Sequence, residues 1–215
     1  MDFQELLQKR YTTKHYDSSR VVPDEVVKQI LECVRLTPTS VNSQPYHFYV
    51  LTGESKQKVR DAVMDFNQQR YDGASHAIVI ASKKTIDEDH LAKVLAQEEV
   101  DGRLPTADIK AAQDKSRHYF SNLHIQKGDF VAWTGKQSYI AFATMVYAAE
   151  ALGVDSTALE GIEFDKVDEL LGLDAKKETC QMIVLLGYRD PNDSNTLDRR
   201  PKSRLSVAEL TTFLN

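Results

Sequence analysis

Two spacings of apolar residues recur along the chain, one typical of helices and one typical of strands. In the segment 23–36, apolar residues return every three or four positions behind Pro23, which predicts an amphipathic helix. Short runs rich in β-branched and aromatic residues, such as HFYVLT, predict strands. By these criteria we expect helices over 2–10, 23–36, 55–65, 87–101, 106–122, 129–152 and 165–171, and strands over 47–52, 76–82, 154–159 and 181–188. This order of elements alone is compatible with a parallel α/β sheet.

The segment 129–152 is the longest predicted helix, and its apolar residues are spread around most of its circumference. Gly153 is placed to end it. Because a helix that is apolar nearly all round needs burial on more than one side, we expect it in the centre of the core, at a dimer interface, or in both.

Beyond Arg189 the chain loses its periodicity but stays apolar. The apolar positions of this tail are Leu197, Leu205, Val207, Leu210 and Phe213. We therefore expect residues 1–215 to form one domain, with 189–215 as an arm that packs on a partner subunit. An ordinary wrap over its own chain is the alternative.

Composition and charge restrict the possible partners and compartment. The formal charge is 27 − 32 = −5, which argues against a nucleic-acid partner, and the longest apolar run, 139–149, is shorter than the roughly 20 residues that span a bilayer. The dense charge of 87–122 indicates a solvated face. Cys33 and Cys180 lie in apolar runs, so we expect buried, reduced thiols. The first ten residues lack an export signal, and we expect a cytoplasmic protein.

Several common catalytic motifs are missing from the sequence. None of the nine glycines forms the GxG of a dinucleotide-binding turn, and there is no Walker A loop, HExxH helix or GxSxG elbow. The six histidines lack metal-ligand spacing. Cys33, within a predicted helix among apolar neighbours, is a weak candidate for a nucleophile.

Three separated segments combine cations with small polar residues: RYTTK at 10–14, PTSVNSQP at 38–45 and KSR at 202–204. Arginine offers a planar donor fork to phosphate oxygens and lysine a point charge, while hydroxyl and amide groups pair with sugar hydroxyls or with the edge of a heterocycle. Each segment is a weak signal alone, since cations also favour helix C-termini.

Taken in order along nearly the whole chain, these segments resemble the nitroreductase family, in its branch of oxygen-insensitive NAD(P)H nitroreductases and dihydropteridine reductases. The segments that carry the resemblance are RYTTK, PTSVNSQPYHF, FNQQR, GASHAIVIAS, QEEVDGR, GKQSYIAF, ALEG and PKSRL. The resemblance implies an α+β fold, in which helices flank a mainly antiparallel sheet and the C-terminal extension is exchanged in a homodimer. It thereby replaces the parallel sheet that the pattern alone allows.

The resemblance also implies FMN as cofactor, NAD(P)H as electron donor, and site residues drawn from both chains. Arg10, Lys202 and Arg204 would hold the FMN phosphate, with Thr12 nearby. Lys14 and Arg70 would face the N1 and O2 edge of the flavin. The full implied set of cofactor contacts is Arg10, Tyr11, Thr12, Lys14, Pro38, Thr39, Ser40, Asn42, Asn67, Arg70, Gln137, Leu159, Glu160, Gly161, Lys202 and Arg204.

Within that set, Asn67 would meet the pyrimidine edge, and the backbone of Glu160 and Gly161 would approach N5 and O4. The other subunit or its boundary would supply Pro38, Thr39, Ser40, Asn42 and Gln137. The implied substrate side consists of Ser40, Val41, Phe66 and Phe120.

Three positions depart from what is common in the family: Arg70 replaces a lysine, Val41 a threonine, and Ala158 a proline. The first keeps the positive charge, whereas the other two change the polarity of the pocket and the rigidity of the chain before Glu160, and so bear on acceptor preference. The implied reaction is a ping-pong hydride transfer from NAD(P)H to nitroaromatic, quinone or related acceptors. The alternatives are a specialised dihydropteridine or enone reductase and a flavin-binding protein without turnover.

Overall fold

In a computed structural model, which describes residues 2–214, nine α-helices surround one four-stranded sheet. The helices are α1 (Phe3–Lys9), α2 (Asp24–Arg35), α3 (Gly53–Val59), α4 (Asp65–Gly73), α5 (Glu88–Val100), α6 (Ala107–Lys127), α7 (Phe130–Ala151), α8 (Phe164–Leu171) and α9 (Val207–Leu210). The strands are β1 (Tyr46–Leu51), β2 (His76–Lys83), β3 (Asp155–Leu159) and β4 (Glu178–Gly187), and short 3-10 turns span Ser40–Asn42 and Arg60–Ala62.

The sheet is antiparallel throughout, in the order β1-β2-β4-β3. In its centre Ile78 lies opposite Val184 and Val79 lies opposite Ile183. Successive side chains of a strand point to opposite faces, so both faces of these strands are apolar and both require cover. The predicted α+β class and the mainly antiparallel sheet are confirmed.

Helices cover the sheet on both sides. On one face, Ile78 and Val184 pack with residues of α2 and α7. On the other, Val79 and Ile183 pack with residues of α3, α4 and α8. Helix α7 is fully buried at Ala141 and Met145, which share one face, whereas Tyr139 and Ile140 on another face are 42% and 47% exposed in the protomer.

The predicted elements agree with the observed ones except around residue 60, at the end of α6, and in the tail, where the short α9 was not predicted. The expected helix 55–65 is instead α3 and a 3-10 turn, and α4 follows as a helix that the pattern did not predict. Helix α6 continues beyond the predicted 122 to Lys127, where Gly128 takes a left-handed conformation at φ 70°. Gly153, at φ 72°, ends α7 as predicted and donates its N–H to the carbonyl of Glu150.

The two cysteines have different environments. Cys180 is buried, as predicted, and burial raises the pKa of its thiol to about 12. The prediction for Cys33 is wrong, because its side chain is exposed in the protomer. Helix α2 turns about 100° per residue, so Val34, which follows directly, points into the core while Cys33 points away from it.

The first part of the tail is bound to its own chain. The guanidinium of Arg189 donates to the carboxylate of Asp193 at 2.6 Å and to the carbonyl of Asn195 at 2.9 Å. Farther along, the apolar side chains are exposed in the protomer, from Leu197 at 55% to Phe213 at 86%. Packing of this later part on a partner stays a prediction. Within residues 2–214, no helix is both long and apolar enough to cross a membrane.

Candidate functional site

A cavity of about 310 Å³ brings the two ends of the chain together. It contains the three cations for which the sequence predicts a common role, Arg10, Lys202 and Arg204, although more than 190 positions separate the first from the other two. We call it the cation pocket. Its lining consists of Arg10, Tyr11, Thr12, Asn195, Arg200, Pro201, Lys202, Ser203 and Arg204.

Hydrogen bonds between the N-terminal segment and the tail fix this meeting of the chain ends. The Arg189 side chain donates to the carbonyl of Tyr11 at 3.0 Å, and the Asn195 amide donates to the carbonyl of Thr12 at 2.7 Å. The Tyr11 hydroxyl donates to the carbonyl of Arg200 at 2.8 Å. Because the acceptors of these bonds are main-chain carbonyls of both segments, the bonds fix the backbone around the pocket.

Lys202 is held at the end of α1. Its amine donates to the carbonyls of Leu7 and Arg10, the second at 2.6 Å, and lies 4.7 Å from the centre of the Tyr11 ring. Partial burial lowers the pKa of Lys202, and the nearby Arg10 and Arg204 lower it further. The pocket therefore carries a local excess of positive charge that its own residues do not neutralise.

Among residues 2–214, none of the four cations of the pocket forms an ion pair with a carboxylate. Glu150 lies close enough to raise the pKa of Lys202 slightly, but its carboxylate is 3.9 Å from Lys9. Exposed arginines elsewhere on the surface do have acidic neighbours, for example Arg35 with Glu32 at 2.6 Å. The pocket thus presents several unpaired cations to whatever enters it.

A second positive pair lies near this pocket. Burial lowers the pKa of Lys14, and the next largest cause is the guanidinium of Arg70. The backbone N–H of Lys14 donates to Asp193 at 2.9 Å, which fixes its main chain. Arg70 lies one helical turn after Asn67 on α4, so both side chains share a face of that helix.

Asn67 and Gly161 join α4 to the end of β3. The Asn67 amide, buried at 4% exposure, donates to the carbonyl of Gly161 at 3.1 Å. A Cβ on residue 161 would collide with the Asn67 amide and would lie 2.7 Å from the Phe66 ring. Glycine is therefore required here for close contact with α4. Leu159, the last residue of β3, is buried.

Beside this contact, the hydroxyl of Tyr139 on α7 donates to the carboxylate of Glu160. Partial burial and this bond raise the pKa of Tyr139 to about 12, so the phenol stays protonated at neutral pH. Glu160 is thereby held at the start of the turn that carries Gly161.

The segment Pro38–Gln44, which we call the 38–44 loop, forms a separate group. The carboxamide oxygen of Gln137, on α7, accepts the N–H of Ser40 at 2.9 Å and the Ser43 hydroxyl at 3.3 Å. Gln44 donates its N–H to the Thr39 hydroxyl at 3.1 Å. Residues of this loop, including Pro38, Thr39, Val41 and Asn42, border a second cavity of about 680 Å³.

A buried ion pair lies directly against this loop. Arg117 of α6, with no exposed side-chain area, donates to the carboxylate of Glu98 of α5 at 2.6 Å. Arg117 also donates to the carbonyl of Val41 at 3.0 Å, and Asn42 donates to Glu98 at 2.8 Å. The prediction that the charge of 87–122 forms simply a solvated face is wrong for these two residues, because each supplies the partner that makes burial of the other possible.

The residues predicted for the substrate side lie in different places in the protomer. Phe66 is 68% exposed and packs over Gly161, whereas Phe120, on α6, is 38% exposed and contacts Tyr119 edge to face. Ser40 and Val41 belong to the 38–44 loop. Within residues 2–214, no hydrogen bond or ion pair joins the 38–44 loop to the cation pocket, and their cavities share no lining residue.

Arg200, Tyr139, Glu98 and Arg117 are among the residues of these groups that were not predicted as site residues. Arg200 lines the cation pocket, and the run RRPKSR could have shown it as a further cation beside the predicted ones. Tyr139 and Glu98 lie within GKQSYIAF and QEEVDGR, but nothing in those segments shows which partner they contact. Nothing in the sequence indicated a role for Arg117, because its partners lie 19 and 76 positions away.

Comparison with known proteins gives one consistent result. The model of the nitroreductase family matches residues 7–188. The chain is 34% identical to the oxygen-insensitive NAD(P)H nitroreductase of Enterobacter cloacae, with 99% of each chain covered. It is 32% identical to the major NAD(P)H-flavin oxidoreductase of Aliivibrio fischeri, with 97% of this chain and 96% of that protein covered.

Among solved structures, a protein from Exiguobacterium sibiricum determined in complex with FMN superimposes with a TM-score of 0.81. It is 21% identical, and the match covers 100% of this chain and 98% of that one. This similarity shows a shared fold. The family match over most of the chain and the relatives above 30% identity along nearly its full length establish that the chain belongs to the nitroreductase family.

Proposed function

We propose that this protein is an FMN-dependent NAD(P)H oxidoreductase that passes a hydride, in a ping-pong reaction, to nitroaromatic, quinone or related acceptors. The observation that carries the proposal is the cation pocket, where Arg10, Arg200, Lys202 and Arg204 converge without carboxylate partners among the described residues. Relatives above 30% identity support it, being an NAD(P)H nitroreductase and an NAD(P)H-flavin oxidoreductase.

The donors of the pocket fit the phosphate of FMN. A phosphate monoester carries close to two negative charges at neutral pH and accepts several hydrogen bonds. Arg10 and Arg204 offer guanidinium forks, while Lys202 has two N–H donors occupied by main-chain carbonyls and one left for a ligand. Burial and, after it, repulsion from Arg10 and Arg204 lower the pKa of Lys202, and such an anion would offset the repulsion.

Lys14 and Arg70 fit the flavin ring. Bound FMN would supply the redox chemistry, taking up a hydride at N5 and releasing it to the acceptor. The two cations would stabilise the negative charge that gathers at the N1 and O2 edge on reduction. Helix α4 carries Arg70, and the bond from the backbone N–H of Lys14 to Asp193 fixes the main chain that carries the Lys14 amine.

Asn67, Glu160 and Gly161 would position the ring. The close contact of Gly161 with Asn67 and Phe66 leaves little freedom to the turn after β3, so main-chain groups of this turn can serve as fixed partners for the ring edge. No residue of the chain needs to act as a nucleophile. The absence of a dinucleotide-binding glycine motif from the sequence accords with NAD(P)H and the acceptor using one space in turn.

We propose further that the site is completed in a homodimer. In one protomer the cation pocket and the 38–44 loop are separate, and the later tail leaves six large apolar side chains exposed. These are Leu197, Leu205, Val207, Leu210, Phe213 and Leu214. Packing this arm on a second copy would bury them and would bring the 38–44 loop of one chain toward the flavin held by the other.

The experiment is an absorption spectrum of the purified protein, taken before and after anaerobic addition of NADPH or NADH. The proposal predicts a flavin spectrum that bleaches with the donor and returns when a quinone or nitroaromatic is added. Protein that remains colourless after incubation with FMN would refute it. Flavin that binds but does not bleach would show a flavin-binding protein, and an acceptor panel in which only pterins or enones react would show a specialised reductase.

A further inference from the structure

The 38–44 loop has an unusual main chain. Val41, Asn42 and Gln44 have φ angles of 48°, 52° and 45°, in the left-handed region that residues with a side chain rarely occupy. Valine is poorly suited to this region because its branched Cβ crowds the backbone. Such a conformation persists only where surrounding contacts enforce it.

Contacts from the buried pair supply that enforcement. Arg117 donates to the carbonyl of Val41, and Glu98 accepts the side-chain amide of Asn42, so one bond falls on each of the first two strained residues. Both charged groups are buried, at 0% and 4% side-chain exposure, and water does not compete for these bonds. Bonds that involve ionised groups are shorter and stronger than neutral ones.

A third contact comes from α5. His90 donates from Nε2 to the carbonyl of Ser43 at 2.7 Å, since a carbonyl oxygen only accepts. The loop is thus bound on one side by α5 and α6 and on the other by Gln137 of α7. Its conformation depends on how these helices are placed.

We propose that the Arg117–Glu98 pair is a positioning device for the acceptor side of the site, fixing the 38–44 loop in the conformation that presents Ser40 and Val41. This rests on the proposed function, together with the family resemblance, which implies that these two residues lie on the substrate side. Phe120 lies three residues after Arg117 on α6, so the same helix that fixes the loop also carries the aromatic ring predicted for this space. Arg117 itself is a positioning residue, since it is fully buried.

Loss of the pair should lower the fraction of molecules whose loop is ready to bind. Apparent affinity falls in proportion to that fraction, while the rate of the bound complex changes less. The effect should therefore fall mainly on KM for the acceptor. A residue that only stabilised the fold would lower the amount of active enzyme and leave KM unchanged.

The test compares Arg117→Met with Lys115→Met, an exposed residue of the same helix, and with the double variant Glu98→Gln/Arg117→Met, in which no buried charge lacks a partner. Hydrogen exchange is measured at the amides of Asn42, Ser43 and Gln44 in protein without cofactor. Kinetics of the FMN-loaded dimer with 1,4-benzoquinone give kcat and KM separately.

In both variants that lack Arg117, we expect exchange in the loop to rise about tenfold or more, while exchange in β2 and β4 stays within about threefold of wild type. KM for the quinone should rise about tenfold, with kcat within about threefold. Lys115→Met should match wild type in both measurements. Unchanged loop exchange, or a double variant that recovers wild-type KM, would overturn the proposal.

The two proposals can fail separately. Protein that binds no FMN but loosens its loop in Arg117→Met would refute the proposed function and keep the role of the pair in fixing the loop. Flavin reduction with unaltered loop exchange would do the reverse. Should Arg117→Met alone not fold, the double variant carries the same comparison.

Discussion

Charge is arranged in opposite ways in the cation pocket and in the buried Arg117–Glu98 pair. Within residues 2–214, Arg10, Lys202 and Arg204 stand together without an ion pair to a carboxylate, whereas Arg117 has Glu98 at 2.6 Å and no exposed side-chain area. An unpaired cation cluster is stabilised only when an anion arrives, so its energy is available for binding. In the buried pair each charge already has its counter-charge, and the energy of the pair is used to hold shape. The difference separates residues that bind from residues that position.

The largest expected effect concerns the proposed dimer, which would bring the 38–44 loop of one chain toward the flavin held by the other. Changing Leu210 and Phe213 together to Asp should convert the protein from a dimer to a monomer, because charge would replace the apolar arm at the proposed interface. Flavin content should fall with it. Sedimentation velocity measures the change, and Val21→Asp, at a 68% exposed position outside the arm, serves as the control. If the double variant still sediments like wild type, the arm is not needed for dimer assembly.

The next effect tests the buried pair as a structural element. Glu98→Ala leaves the Arg117 guanidinium buried without its partner, and the free energy of unfolding should fall by about 3–5 kcal/mol. Glu32→Ala, which breaks an exposed pair with Arg35, should cost less than about 1 kcal/mol. Urea denaturation of both variants measures the contrast. An equal loss of unfolding free energy in the two variants would mean that the buried pair contributes no more to stability than the exposed pair.

A substitution in the cation pocket should lower the affinity for FMN and leave the free energy of unfolding nearly unchanged. Arg204→Ala should weaken FMN binding by about 1.5–3 kcal/mol, or roughly ten- to a hundredfold, as expected for a lost charged hydrogen bond. Its unfolding free energy should stay within about 0.5 kcal/mol of wild type, since the side chain is exposed. Fluorescence titration with FMN measures the affinity, and Lys58→Ala is the control. Unchanged affinity would place the phosphate elsewhere.

The smallest effect is a dependence on pH. The pKa of Lys202 is lowered in the free protein, and an adjacent phosphate would raise it again, so binding takes up protons below pH 10.5. FMN affinity, taken relative to riboflavin, should therefore decline as pH rises from 8 towards 10.5. The decline should be reduced in Lys202→Met. If the ratio of FMN affinity to riboflavin affinity did not change with pH in the wild type, the Lys202 amine would not interact with the phosphate.

Comparison of sequence and structure shows which features are local. Strands and amphipathic helices were predictable because apolar spacing reports burial directly. Helix α4, with the sequence DFNQQRYDG, was missed because few of its residues are apolar. The direction of the strands was ambiguous, since β2 and β4 are buried on both faces and read as continuous apolar runs, which are more typical of parallel sheets.

Features that depend on distant partners were not predictable from pattern. The meeting of Arg10 with Lys202 depends on the path of the tail, which Arg189 and Asn195 set through main-chain bonds. Glu98 and Arg117 looked like surface charges because their burial depends on a partner 19 positions away. The resemblance assigned Arg10, Lys202 and Arg204 to one group, and all three line the cation pocket, but it did not reveal the pair behind the 38–44 loop.

The central claim is that the cation pocket binds the phosphate of FMN. The most direct test is the affinity of the wild-type protein for FMN against that for riboflavin, which has the same ring system and no phosphate. The account predicts that FMN binds about a hundredfold more tightly or better, and that Arg204→Ala narrows the difference. Equal affinity for the two flavins would contradict it.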